Sequence, residues 1–482
     1  MKIKQLFFLF AMASLVLSSC AEDMDDVIND PEFVEINDFI YRAMSEYYLY
    51  KSEQPRLADG YFETEDEYNE FLRSYTTPEN LFENLTVPKD RFSFITDNYI
   101  ELENSISGIS KTTGVDYILY YISENSNALI GQVRYIVPGS NAEGKSIKRG
   151  DLFTRINGEQ ITLKNYQKIF SGNSLTYTLA DLNSEGMVTE NGQEVTIVTQ
   201  ELTENPILMH KVIETGGHKI GYLLYNSFVA EFDDELNAVF AEFKGENIDN
   251  LILDLRYNGG GRVSSATHLA SMITGQFTEE VFAKKQWNED FQNYYLNNKP
   301  EYLFDYFTDK INDNAINSLN LNQLYVIGIS STASASELVI NGLTPYINVV
   351  KVGDTTTGKS QASVTRYDSP DFTRVNANPD HKYAIQPLVY ESVNADDEVV
   401  PYDGLIPDIP ITEKINDLGE LGDPSEPLLA AALNAITGKR SLLYSKQSES
   451  EISKKFIDFK ERKSNKPTYK RMYIDELPGT SE

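Results

Sequence analysis

The chain has almost no thiol chemistry available to it. Of its 482 residues one is cysteine, Cys20, so no intrachain disulfide can form. Histidine is nearly as scarce. His210, His218, His268 and His381 are the four in the chain, and none lies in sequence beside the loops argued below to carry chemistry. Basic charge is also short: 42 Lys and Arg stand against 73 Asp and Glu, a formal net charge of −31. Nucleic-acid affinity rests on neutralising phosphates with cations, so this field excludes nucleic acid as a partner and fits a solvated surface. Beyond the N-terminus no run is long and apolar enough to span a bilayer. The length leaves room for about three domains.

What is present begins with Lys2 and Lys4, followed by an apolar stretch over residues 6–17 that is too short for an ordinary span. It closes on Leu17-Ser-Ser-Cys20, which resembles a bacterial lipoprotein signal, with cleavage before Cys20 and lipid on its thiol. That resemblance implies a membrane partner through the lipid anchor and an outer-membrane lipoprotein of the cell envelope, periplasmic or surface-exposed. The run Ala21-Glu-Asp-Met-Asp-Asp26 resembles acidic export tags of surface lipoproteins. Residues 1–19 then form the signal peptide, and 20–34 a lipidated acidic tether.

Residues 35–106 carry helical signals. Ile36, Ile40, Ala43, Met44 and Tyr47 recur at helical spacing. Thr64-x-x-Glu67 has the capping-box pattern, and Thr77-Pro78 places a cap residue before a proline at the first helical position. Leu81, Phe82 and Leu85 supply the third helix with an apolar face. From residue 107 the texture changes to short β-type runs, with an Asn157-Gly158 hairpin signal. The order V-x-x-I-V-P-G-S-x-A, then I-K-R-G-D-L-F-T-R-I-N-G, resembles a PDZ domain of envelope proteases over 107–204. Such domains take up an extended peptide as an added strand and often capture its terminal carboxylate. The capturing loop is expected within residues 108–114.

Over residues 205–440 strands alternate with helices, which implies a parallel or mixed sheet. In open α/β sheets chemistry sits at the carboxyl ends of strands. Three such ends stand out. Leu251-Ile-Leu-Asp-Leu-Arg-Tyr-Asn-Gly-Gly-Gly261 is a strand running into a glycine turn. There, backbone N–H groups can point into a crevice and stabilise an oxyanion, and a structural turn reads equally well. The run departs from a dinucleotide fingerprint, since Ser264 stands where the third glycine is expected. The strand Leu324-Tyr-Val-Ile-Gly-Ile329 leads to Ser331-Thr-Ala-Ser-Ala-Ser-Glu337 and a short helix, which exposes a hydroxyl at a strand-to-helix junction. A third strand, near residues 347–352, leads to Lys359. For Lys359 to serve as base its pKa must fall from about 10.4 toward ~7–8, roughly 3–5 kcal/mol of differential destabilisation that burial can supply.

Gly353-Asp-Thr-Thr-Thr-Gly-Lys-Ser360 also matches the P-loop pattern at every fixed position. A P-loop opens a helix after the lysine, whereas residues 361–367 have strand composition. The last 42 residues, 441–482, contain a mixed-charge, Lys/Arg-enriched segment that reads as a solvated appendage.

Together, LILDLRYNGGG, TASASE and a lysine 25 residues after Ser334 resemble the C-terminal processing peptidases, or tail-specific proteases. The resemblance implies an α/β catalytic domain of crotonase-like fold, with a parallel or mixed sheet and helices. Beside it stand a β-rich PDZ-like domain and a small helical N-terminal region. It implies polypeptide substrates, no cofactor and no metal. Ser334 becomes the nucleophile and Lys359 the general base, with the amides of Ala335 and of Gly259 or Gly260 forming an oxyanion hole. Many members carry a glutamine four residues after the lysine. Here Ser363 holds that position, and Gln361 is the nearest candidate to orient Lys359. Ser336 is the alternative nucleophile. The competing function is a catalytically silent peptide-binding scaffold.

Overall fold

A computed structural model describes residues 31–123, 126–438 and 455–477. The signal peptide, Cys20 and most of the acidic tether lie outside the described residues. Helices α1 (Pro31–Tyr47), α2 (Glu65–Arg73) and α3 (Pro78–Leu85) open the fold. On α1 the spaced residues Ile36, Ile40, Ala43, Met44 and Tyr47 are all buried. Each large one contributes about 1.5–3 kcal/mol relative to exposure. Thr64 accepts from the Glu67 N–H at 3.2 Å and Thr77 from the Asn80 N–H at 3.2 Å, so both helices start where the cap residues stand. The capping box at Thr64 is not reciprocal, because Glu67 accepts from the Glu63 N–H instead. These helices share one apolar core with the strands that follow residue 205.

Next comes a β-rich module: β1 (Val115–Tyr121), β2 (Leu129–Ile136), β3 (Leu152–Ile156), a short helix α4 (Tyr166–Phe170), β4 (Ser174–Leu182) and β5 (Val188–Val198). The strands pair antiparallel in sequence order apart from a two-residue strand, Glu159–Gln160, beside β3. Asn157 and Gly158 both take positive φ, 53° and 78°, as the turn into that strand requires. The module has its own core around Phe153 and Tyr177. Arg149 bolts it to the rest of the chain. The guanidinium reaches Glu413 at 2.8 Å, the Tyr257 hydroxyl at 2.6 Å and the Leu418 carbonyl at 3.1 Å.

Most of the remaining strands form two six-stranded sheets. The first runs β6 (Ile207–Thr215), β7 (His218–Tyr225), β8 (Asn250–Asp254), β12 (Gln323–Gly328), β13 (Asn348–Gly353) and β16 (Ile409–Pro410). It is parallel from β7 onward, with β6 antiparallel at one edge. Helices α5 (Asp233–Gly245), α6 (Val263–Thr274), α7 (Ala335–Leu343) and α8 (Pro427–Thr437) flank it. The carboxyl ends of the neighbours β8, β12 and β13 carry the glycine run, Ser334 and the Lys359 loop, so one sheet edge collects all three. The second sheet runs β9 (Gly261–Arg262), β18 (Met472–Ile474), β14 (Gln361–Val364), β15 (Leu388–Val393), β10 (Val281–Trp287) and β11 (Phe304–Tyr306).

The C-terminal segment corrects the sequence reading. Residues 455–477 are not a solvated appendage: β17 (Ile457–Glu461) pairs antiparallel with β1, and β18 lies parallel between β9 and β14. Met472 and Tyr473 are buried. Three of the basic residues that suggested a solvated run, Arg462, Lys463 and Lys466, have acidic partners in the body. Arg462 meets Asp116 at 3.0 Å and Glu204 at 3.2 Å, and Lys466 meets Glu204 at 3.3 Å.

Candidate active site

Strand β12 delivers the chain to Ser334, which stands at the N-cap of α7 with φ 65° and ψ −119°. A residue with a Cβ rarely takes that conformation, and such strain persists only where surrounding contacts enforce it. Here they do. Thr332 donates to the Leu255 carbonyl at 2.8 Å and the Ala333 N–H to the Asn258 carbonyl at 3.2 Å, tying the serine loop to the end of β8. Ser336 donates to the same Asn258 carbonyl at 3.1 Å, so the alternative nucleophile has a structural partner. The Ser334 hydroxyl is fully buried and has no hydrogen-bond partner among the described residues.

The glycine run is pressed against this serine. A Cβ on Gly260 would stand 2.6 Å from the Ser334 Cβ, and Gly260 has φ 109°, so only glycine fits. Its N–H donates to the Asn258 side chain at 2.9 Å. Of the expected oxyanion donors, Ala335 stands at the first position of α7, where helix N–H groups lack intrahelical acceptors. Gly260 is committed to Asn258, and Gly259 is covered by the backbone of Lys470. Below the run, Arg256 is fully buried with Asp254 at 2.7 Å and Glu426 at 2.7 Å, anchoring the strand end to the N-cap of α8.

The loop carrying Lys359 is shaped by its own glycines. A Cβ on Gly353 would lie 2.0 Å from the Gly328 carbonyl oxygen, and one on Gly358 2.2 Å from that of Tyr402. These glycines serve packing, and Lys359 enters strand β14 with no helix following, so the P-loop match has no P-loop structure. The lysine is buried, with its ammonium position 5.1 Å from the Phe92 ring centroid. Burial lowers its pKa well below the ordinary value, and the Arg471 charge pushes in the same direction. Its Nζ donates to the carbonyl of Gln361. Gln361 therefore holds the lysine through its backbone, while its side chain turns to Ser360 at 2.8 Å and Glu391 at 2.9 Å. Ser363, in the glutamine position of many relatives, donates instead to the Met472 carbonyl at 3.2 Å.

Glu337 is the residue to which sequence reasoning gave no role. Its buried carboxylate accepts from the N–H groups of Ser334 (2.8 Å), Gly358 (2.7 Å) and Lys359 (2.9 Å), and from the Thr356 hydroxyl (2.5 Å). Burial pushes its pKa up and these donors oppose the shift. The signal was in the sequence, because Ser334-x-x-Glu337 has capping-box spacing. Ser334 and Lys359 thus meet on one carboxylate, although Oγ and Nζ are not bonded to each other. The histidines are engaged elsewhere: His210 with Glu242, His218 with Asp249, His268 with Asp233 and His381 with Asp368.

Comparison with known proteins follows the same lines. A model described as peptidase family S41 matches residues 219–409, and one described as the peptidase S41 N-terminal domain matches 35–94. A carboxyl-terminal-processing protease of Picosynechococcus is 23% identical over 63% of this chain and 71% of the relative. A carboxy-terminal processing protease of Bacillus subtilis is 23% identical over 62% of this chain and 66% of the relative. Among solved structures, a putative S41 protease from Bacteroides fragilis superposes with TM-score 0.64 at 25% identity, covering 83% of this chain and 97% of that one.

Proposed function

This chain belongs to peptidase family S41, among the C-terminal processing peptidases, and from that premise we propose that it is a lipid-anchored serine endopeptidase with a Ser334/Lys359 dyad. A serine-type peptidase acts on polypeptides; the finer reading is cleavage of unfolded or C-terminal segments. The observation that carries it is the shared carboxylate: a strained, unpartnered serine hydroxyl and a buried lysine of lowered pKa are fixed to the same Glu337.

In the reaction, neutral Lys359 leaves the Gln361 carbonyl and takes the proton of Ser334 Oγ as the oxygen attacks the substrate carbonyl. The Ala335 N–H, with an amide of the glycine run once freed, receives the developing oxyanion. Collapse breaks the C–N bond, and the Lys359 ammonium returns its proton to the leaving amine. Water then hydrolyses the acyl ester by the same base. Strand β1 beside helix α4, with Tyr117 stacked on Phe170, supports the PDZ-like reading of the β-rich module, since a strand next to a helix is where such a module takes up a peptide as an added strand. Lipidation at Cys20 rests on the sequence around it.

Ser334→Ala and Lys359→Ala are each expected to abolish cleavage of an unstructured protein with the fold intact. Full activity in Lys359→Ala with a normal pH profile would refute the dyad. The silent-scaffold reading draws support from the buried serine and the separated Oγ and Nζ. Labelling of Ser334 by a serine-directed acylating probe decides between the two.

A further inference from the structure

Residues 455–477 lie along two places where a peptide would bind. At the first, β17 adds antiparallel to β1, with Ile457 opposite Tyr121 and Glu461 opposite Ile118. This is the edge that the β-rich module would offer to a ligand. Phe459 fills the neighbouring space, with its ring centroid 5.0 Å from Tyr121 and 5.1 Å from Tyr166 at the start of α4. An added strand beside a helix, with one side chain set between them, is how an extended peptide is taken up.

At the second place the same segment covers the catalytic residues. The position a Cβ would take on Gly260 is 2.6 Å from the Ser334 Cβ and 2.7 Å from the Arg471 carbonyl oxygen. The position on Gly259 is 3.1 Å from the Lys470 nitrogen. The Lys470–Arg471 backbone therefore lies on the oxyanion glycines, and Ser334 is left with no exposed surface. Lys470 donates to the Ser330 carbonyl at 2.9 Å, and the Arg471 guanidinium stacks 3.8 Å from the Phe94 ring centroid. Past Arg471, β18 fills the slot between β9 and β14.

Resting on the peptidase reading above, we infer that the C-terminal segment is a resident substrate mimic. It occupies the peptide-accepting edge of the β-rich module and the catalytic crevice in series, and a polypeptide is cleaved only by displacing it strand for strand. A segment tethered in cis competes at an effective concentration on the order of millimolar. The apparent affinity for a free peptide falls by the fraction of molecules that are open. Partners with a long unfolded tail, able to replace both strands, are thereby favoured over short peptides.

The absence of other thiols makes a reversible test simple. In the full chain carrying Cys20→Ser, one variant takes Val364→Cys and Ile474→Cys, aligned neighbours across β14 and β18. A second takes Tyr121→Cys and Ile457→Cys, aligned across β1 and β17. Each is compared with itself, oxidised and reduced, with the disulfide verified by mass. Closing either staple is expected to slow cleavage of reduced, alkylated casein at least tenfold. Closing the β14–β18 staple is also expected to slow phosphonylation of Ser334 by a fluorophosphonate, in which the serine oxygen displaces fluoride from phosphorus, and thiol reductant should restore both. Equal rates in the closed and open forms of either variant overturn the proposal while leaving the peptidase reading standing. If the reduced forms and the Cys20→Ser parent neither cleave nor label above a Ser334→Ala blank, the peptidase reading fails and the inference falls with it.

Discussion

Ser334 and Lys359 hang from a single atom, Oε2 of Glu337, which accepts the backbone N–H of the first at 2.8 Å and of the second at 2.9 Å. One buried carboxylate thereby ties together the backbones of the proposed nucleophile and base. Glu337→Ala leaves buried donors unpaired, at about 1–3 kcal/mol each. Urea unfolding should show a marked loss of stability, and kcat should fall at least a hundredfold with KM little changed. Glu337→Gln keeps one acceptor oxygen and should fall between Glu337→Ala and the wild type in both measurements.

The lysine makes a prediction in pH. Its folded pKa is depressed well below the ordinary value, so between that value and about 10.4 the unfolded chain binds more protons than the folded one. Stability then gains with rising pH through this window, because the cost of the buried ammonium is relieved. Lys359→Met should be more stable than wild type at low and neutral pH, with the gap in melting temperature closing as pH rises. Activity should climb on a single base limb lying well below 10.4, and Lys359→Arg should be inactive because a guanidinium keeps its proton.

Strain at Ser334 can be read separately from chemistry. Ser334→Gly and Ser334→Ala both remove the nucleophile and should both be inactive. A φ of 65° with a Cβ costs on the order of 1–3 kcal/mol, less the extra freedom that glycine has when unfolded. Ser334→Gly should therefore melt higher than Ser334→Ala, by a margin equivalent to about 1 kcal/mol. Equal melting temperatures would show that the strain is no larger than glycine's entropic cost, about 0.4–1 kcal/mol.

Arg256 supports the glycine turn from beneath. Arg256→Met strands the buried Asp254 and Glu426 carboxylates, and breaking such a network on one side costs about 3–5 kcal/mol. The urea midpoint should drop accordingly. Replacing a residue in an exposed pair, such as Arg155 with Glu190, should move it little.

What could be read from the sequence was local. Strand, turn and cap are written in neighbouring residues, so the serine, the lysine and the glycine run were placed at strand ends before any contact was known. Glu337 was legible as a cap but not as the tie to Lys359, since that bond joins loops that meet only in the folded sheet. Gln361 was chosen for its side chain, whereas the lysine binds its carbonyl, which every residue type possesses. The tail was misread because a lysine paired inside a protein is the same letter as a lysine in water. Only Asp116 and Glu204, far away in sequence, distinguish the two cases.

Arg149 has a consequence of another kind. By gripping Glu413, Tyr257 and the Leu418 carbonyl, it fixes the β-rich module against the sheet that carries the serine. The stretch of chain from Glu461 to Arg471 is then a measured interval between two rigid posts. Arg149 keeps those two posts at a constant spacing.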